Sequence, residues 1–78
     1  MEKSELLKIV GKRIKEIRED KGLSQVDLVG KIDGNIDTTN ISRIESGRTN
    51  PTIFTLHRIA EGLDVSLQEI MNFGKPEN

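Results

Sequence analysis

The stretch Asn40-Ile41-Ser42-Arg43-Ile44-Glu45-Ser46-Gly47-Arg48, preceded by Asp37-Thr38-Thr39 and followed by Thr49-Asn50-Pro51-Thr52, decides how this chain is read. Ile41 and Ile44 stand three apart, a spacing that places two side chains on one face of a helix. Thr38, Thr39, Asn40, Ser42 and Arg43 then form a polar face beside them. Gly47 is a natural stop, because glycine takes positive φ without steric cost. Arginine can bond both acceptors of guanine, asparagine can bond adenine through two atoms, and a threonine methyl can meet that of thymine. An ordinary solvated helix face would carry similar residues, so the flanking sequence has to decide.

Working outward, one local device recurs. A capping residue preceded by an apolar residue or Pro, and followed four places on by an apolar one, occurs in Leu23-Ser24…Leu28, Ile36-Asp37…Ile41, Pro51-Thr52…Leu56 and Val65-Ser66…Ile70. The cap oxygen accepts from an otherwise orphan amide, and the apolar pair sets the angle at which the chain enters the helix. Ser66…Glu69 reads as a full capping box and Ser24…Asp27 as a shorter variant. Upstream, Leu6, Ile9/Val10, Ile14 and Ile17 recur at helical steps until Gly22. The pattern predicts helices near 5–21, 25–32, 38–46, 53–61 and 67–72, with Gly62 ending the fourth. The last four are too short to persist alone in water, so packing must hold them. The expected core is Ile14, Ile17, Leu23, Leu28, Ile41, Ile44, Leu56, Ile59, Ala60, Leu63, Val65 and Ile70. The fold class is therefore all-α and compact, one domain over 1–73 with a flexible tail at 74–78.

Composition narrows the function. At 78 residues the chain has little room for a deep catalytic cleft. It has no Cys, one His, and Phe54 and Phe73 as its only aromatics. Thiol chemistry and a thiolate metal site are thereby excluded, and so few aromatics argue against a stacking platform for single strands. No apolar run is long enough for a membrane span, and Met1-Glu2-Lys3-Ser4 lacks a signal peptide's apolar block, so the expectation is a cytoplasmic protein. The net charge of −1 lacks the basic excess usual in nucleic-acid binders. Its distribution is more informative. Between Thr38 and Arg58, Arg43, Arg48 and Arg58 face Glu45 as the sole carboxylate.

Together with Leu23-Ser24-Gln25 and Gly62-Leu63-Asp64-Val65-Ser66, the central stretch resembles the helix-turn-helix family of phage repressor and Cro proteins, the xenobiotic-response-element (XRE) family. The likeness runs from about Val10 to Met71, as separate blocks in the right order. It implies a lambda-repressor-like five-helix domain whose helices 2 and 3 form the helix-turn-helix, with helix 3 in the DNA major groove. On the resemblance, Thr38, Thr39, Asn40, Ser42 and Arg43 read base edges, while Gln25, Ser46, Arg48, Thr49 and Asn50 grip phosphates. Pro51 pushes Asn50 towards extended geometry, so Asn50 also suits a loop-shaping role. The resemblance makes Arg18 and Glu45 a structural ion pair joining the first helix to the third. One departure stands out: Asp33-Gly34-Asn35-Ile36 makes the step from helix 2 to helix 3 longer than the family's usual spacing. His57 is assigned a structural or solvated role, and Lys12, Arg13 and Lys15 a solvated helix face.

The resulting expectation is a sequence-specific, double-stranded DNA-binding transcriptional regulator, not an enzyme, with no cofactor and no metal. It is similar to the one-domain members of the family, among them the small controllers of restriction–modification genes and minimal phage repressors. A homodimer on a near-palindromic operator is expected, since one domain spans too few base pairs for specificity. Leu67, Ile70, Met71 and Phe73 are the candidate dimer interface, and RNA polymerase is a candidate further partner. The alternative is an antitoxin-like or adaptor module whose main ligand is a protein, such as a toxin-like partner.

Overall fold

Ser24 Oγ accepts from the Asp27 amide at 2.9 Å, and the Asp27 carboxylate accepts from the Ser24 amide at 2.9 Å. In the computed structural model, which describes residues 1–73, this reciprocal cap starts one of five helices. They are α1 (Lys3–Asp20), α2 (Gln25–Lys31), α3 (Thr38–Glu45), α4 (Ile53–Leu63) and α5 (Leu67–Ile70). Asp37, Thr52 and Ser66 cap α3, α4 and α5 by accepting from the amides of Asn40, Thr55 and Glu69. The four downstream helices thus each begin at a residue whose side chain satisfies an orphan amide. The chain is all-helical over the described residues, and none of these helices is long and apolar enough to cross a membrane. The tail expected at 74–78 lies outside the described residues.

α3 packs on α1 and α2, α4 on α2 and α5, and α5 on α1. Ile14, Leu28, Ile41, Ile59, Leu63 and Ile70 fill the centre and are essentially inaccessible to solvent. Val10, one of the Ile9/Val10 pair on the apolar stripe of the first helix, joins that core, as does Ile32, which the sequence pattern did not single out, whereas Leu23 and Val65 only pack against its edge. Burial of one such aliphatic side chain contributes ~1.5–3 kcal/mol, so the core supplies what the short helices lack by themselves.

Three local expectations are corrected. The full capping box belongs to Ser24–Asp27, and Ser66 makes only the one-way bond. The Glu69 side chain lies instead near Arg13, with Arg13 Nη2 3.8 Å from its Oε2 and Arg13 Nε donating to its backbone carbonyl at 3.1 Å. Arg13 therefore links α1 to α5 and is not simply part of a solvated face. Gly62 does not end α4. It lies inside the helix, where an added Cβ would come 2.8 Å from Ile32 Cγ1, and Asp64 takes the left-handed stop at φ 59°. A close approach to α2, not a turn, is what requires glycine at position 62.

Candidate nucleic-acid interface

The C-terminal end of α3 is clamped from both sides. Past Glu45, the Gly47 amide donates to the Ile44 carbonyl and the Arg48 amide to the Arg43 carbonyl, closing a Schellman motif with Gly47 at φ 77°. α1 crosses this end so closely that a Cβ on Gly11 would overlap the carbonyl oxygens of Ile44 and Glu45. A Cβ on Gly47 would likewise come 2.8 Å from Lys8 Cα. The sequence pattern does not single out Gly11. Its signal was there: an isolated glycine inside a helical pattern usually has a packing reason.

Below this crossing sits a charged cluster shut off from water. Arg18 Nε donates to Glu45 Oε2 at 2.7 Å, Arg18 Nη2 to Glu45 Oε1 at 3.1 Å, and Arg18 Nη1 to the Leu23 carbonyl at 2.7 Å. Gln25 Nε2 adds a third donor to the same carboxylate, reaching Oε1 at 3.0 Å. The hydrogen bonds to Glu45, opposed by desolvation and helped by its charge, hold the Arg18 pKa above its ordinary value. The cluster ties α1, the start of α2 and the end of α3 together. It also matters for the field outside: the only carboxylate between Thr38 and Arg58 is buried and neutralised, which leaves Arg43 and Arg48 as the exposed charges of that face.

Ile41, Ile44 and Glu45 point inward from α3. At about 100° per residue, the outward arc then runs through Thr38, Ser42, Thr39, Arg43 and Asn40 in that order. Thr38, Thr39, Ser42 and Arg43 line one open cleft together with Gln25 and Arg48. Asn40 is exposed on the far flank and does not line it. Gln25 enters the cleft with one amide hydrogen already directed to Glu45, and its second remains. Ser46 is also engaged: its hydroxyl donates to the Arg43 carbonyl at 3.2 Å and accepts from Arg48 Nε at 3.0 Å. Ser46 thus orients Arg48. Asn50 lines a different, apolar groove with Leu6, Pro51, Ile53 and Met71, and neither it nor Thr49 joins the cleft.

The four C-terminal apolar residues separate. Ile70 has no exposed surface and closes the protomer's own core, which corrects its placement at an interface between copies. Leu67 and Phe73 pack partly against the core, and Met71 is 39 % exposed. His57 lies on the α4 surface, 3.4 Å from Glu61.

The helix-turn-helix family HTH_3 matches residues 14–70. The uncharacterized HTH-type transcriptional regulator y4dJ of Sinorhizobium fredii is 33 % identical over 67 residues, covering 86 % of this chain and 84 % of that protein. The control protein C.MunI of a Mycoplasma species is 35 % identical over 63 residues, 80 % of this chain and 82 % of its own length. Among solved structures, the restriction–modification controller protein C.AhdI from Aeromonas hydrophila superposes with a TM-score of 0.81 at 27 % identity, over 90 % of this chain and 99 % of that one. Five-helix architecture, family match and relatives agree: the chain belongs to the XRE-type helix-turn-helix family of DNA-binding transcriptional regulators.

Proposed function

We propose that the protein is a sequence-specific regulator that binds duplex DNA as a homodimer, laying α3 in the major groove of each half of a near-palindromic operator. The observation carrying this reading is the cleft in which Thr38, Thr39, Ser42 and Arg43 converge with Gln25 and Arg48 on a helix whose opposite face is locked inside. Arg43 reads guanine through its planar fork, and Thr38, Thr39 and Ser42 read the neighbouring bases. Asn40 reaches an edge only at the flank of the contact. Arg48, oriented by Ser46, and Gln25 take backbone phosphates, which fixes register without reading sequence. Thr49 and Asn50 shape the loop that follows.

The two-fold contact is assigned to the C-terminal end through Met71 and the exposed parts of Leu67 and Phe73. Leu6 and Ile53, 39 % and 68 % exposed, adjoin Met71 along the apolar groove and support that placement. Regulation is then by occupancy: a bound dimer blocks or recruits polymerase without chemistry of its own.

Selection of tight binders from random duplexes, followed by binding measured against salt, tests this. Near-palindromic sites with half-site centres ~34 Å apart are expected. A dimer contacting ~6–8 phosphates gives a log–log salt slope of about −5 to −7. Absence of enriched sequences, or a single copy bound to a non-repeated site, would contradict the reading.

A further inference from the structure

The lengthened turn between α2 and α3 is held from across the molecule. Arg58, on α4, donates from Nε to the Asp33 carbonyl at 2.9 Å, over 25 positions of sequence. Its guanidinium carbon stands 5.8 Å from the centroid of the Phe54 ring. Its Nη2 is closed off from solvent and has no hydrogen-bond partner among the described residues. The next residue of the turn is shaped around this group. Gly34 adopts φ 113°, and a Cβ there would collide with the guanidinium. An arginine serving only solubility would keep its nitrogens hydrated, because a buried unpaired donor is costly. Here water is given up where the side chain meets the turn.

What the turn leads to gives this contact its consequence. It runs from Asp33 to Asp37, whose carboxylate accepts from the Asn40 amide at 2.9 Å and starts α3. The placement of Asp33 and Gly34 therefore bears on the first residues of that helix, Thr38 and Thr39. The far end is held separately, by the Arg18–Glu45–Gln25 cluster and the Schellman closure at Gly47. Arg58 itself lines a second hollow, with Asp33, Gly34, Asn35, Phe54 and Glu61, outside the cleft that holds Arg43.

We infer that Arg58 is a positioning residue for DNA recognition: by clasping Asp33 and Gly34 it sets where Thr38 and Thr39 stand, without touching DNA. This rests on the reading of α3 as the base-contacting helix. The role needs the guanidinium's shape, so a lysine, which keeps the charge but loses the planar donor, cannot replace it.

The test measures equilibrium binding of the full chain to a selected duplex and to a random one at fixed salt. Wild type, Arg58→Lys and Arg58→Met are compared, with thermal unfolding and amide spectra of each free protein. Both variants are expected to lower the ratio of selected to random affinity about tenfold, with random affinity changed less than about twofold. The lost preference should fall on the base positions that Thr39→Ala also relaxes. In the free variants the amides of residues 33–39 should shift, while those of 43–48 stay. Restoration of the ratio by lysine, or equal loss on both duplexes, would make Arg58 a charge acting on phosphate and overturn the inference. An unchanged ratio in both variants would overturn it too. If wild type prefers no duplex at all, the reading of α3 fails and takes the inference with it, so the two failures are distinguishable. Should Arg58→Met not fold, Phe54→Leu, which removes only the aromatic face, is expected to give the same pattern at smaller amplitude.

Discussion

α3 and α4 begin in the same way: Asp37 and Thr52 each accept from the third amide of the helix they start, at 2.9 and 3.0 Å. Inside they also agree, since Ile41 and Ile44 of one helix and Leu56 and Ile59 of the other enter a single core. Outside they diverge. The α4 surface interacts with itself, through Phe54 beside His57, the guanidinium of Arg58 near Phe54, and His57 next to Glu61. Within the described residues, the outward side chains of Thr38, Thr39, Ser42 and Arg43 take no part in the side-chain hydrogen bonds that hold the molecule together. Two helices with one folding logic thus carry different surfaces, and the surface of α3 is left for something outside the chain.

Removal of the inner anchor of α3 is expected to have the largest effect. Arg18→Met leaves the Glu45 carboxylate buried beside one amide donor, and loss of one partner from a buried pair costs ~3–5 kcal/mol. Urea denaturation is expected to show that loss, and normal stability in the variant would mean that the pair does not anchor α3. Next in size is the outer face. Arg43→Ala should weaken binding to the preferred duplex by ~1–3 kcal/mol and relax one base position, with the fold unchanged. Equal weakening on every duplex would instead assign Arg43 to phosphate.

A smaller effect is expected where α2 begins. Ser24→Ala removes an N-cap and should lower stability by ~1 kcal/mol. The same cap makes a pH prediction. The Ser24 amide, then the Ser24 hydroxyl, hold the Asp27 pKa below its ordinary value, with Lys31 contributing in the same direction. A carboxyl depressed by folding adds stability above its unfolded pKa of ~3.9 and loses it as pH falls through the lower folded value. Amide shifts of Ser24 and Asp27 should therefore titrate on the acid side of the usual Asp range, and Asp27→Asn should abolish that titration. Smallest of all is the matched control on α4. His57→Ala should change stability by under ~0.5 kcal/mol, as for an ordinary surface site, and leave duplex binding as it was. A larger loss of binding would extend the interface onto α4.

The starts of α2 to α5 were legible because each has a cause within four residues: a cap, a flanking apolar residue or Pro, and an apolar partner, whereas α1 begins after Glu2 with no side-chain cap. Their stops and ties were less so. Ser66 and Glu69 read as a reciprocal box because sequence does not reveal that Arg13, 56 positions away, lies beside Glu69. Gly62 read as a stop because its closeness to Ile32 exists only once α2 and α4 have packed. On the interface, type and spacing pointed to the outward residues of α3. The engagement of Ser46 with Arg48, the departure of Asn50 to another groove and the clasp of Arg58 on the turn are contacts between elements, with no local pattern to announce them.

An amide and side-chain NMR titration of the labelled protein with its selected duplex separates the surfaces of α3 and α4 in one experiment. Perturbations should be largest at Thr38, Thr39, Ser42 and Arg43, should extend to Gln25 and Arg48, and should spare His57 and Glu61. Strong perturbation of the α4 surface with α3 unmoved would contradict the claim that α3 is the face turned to DNA.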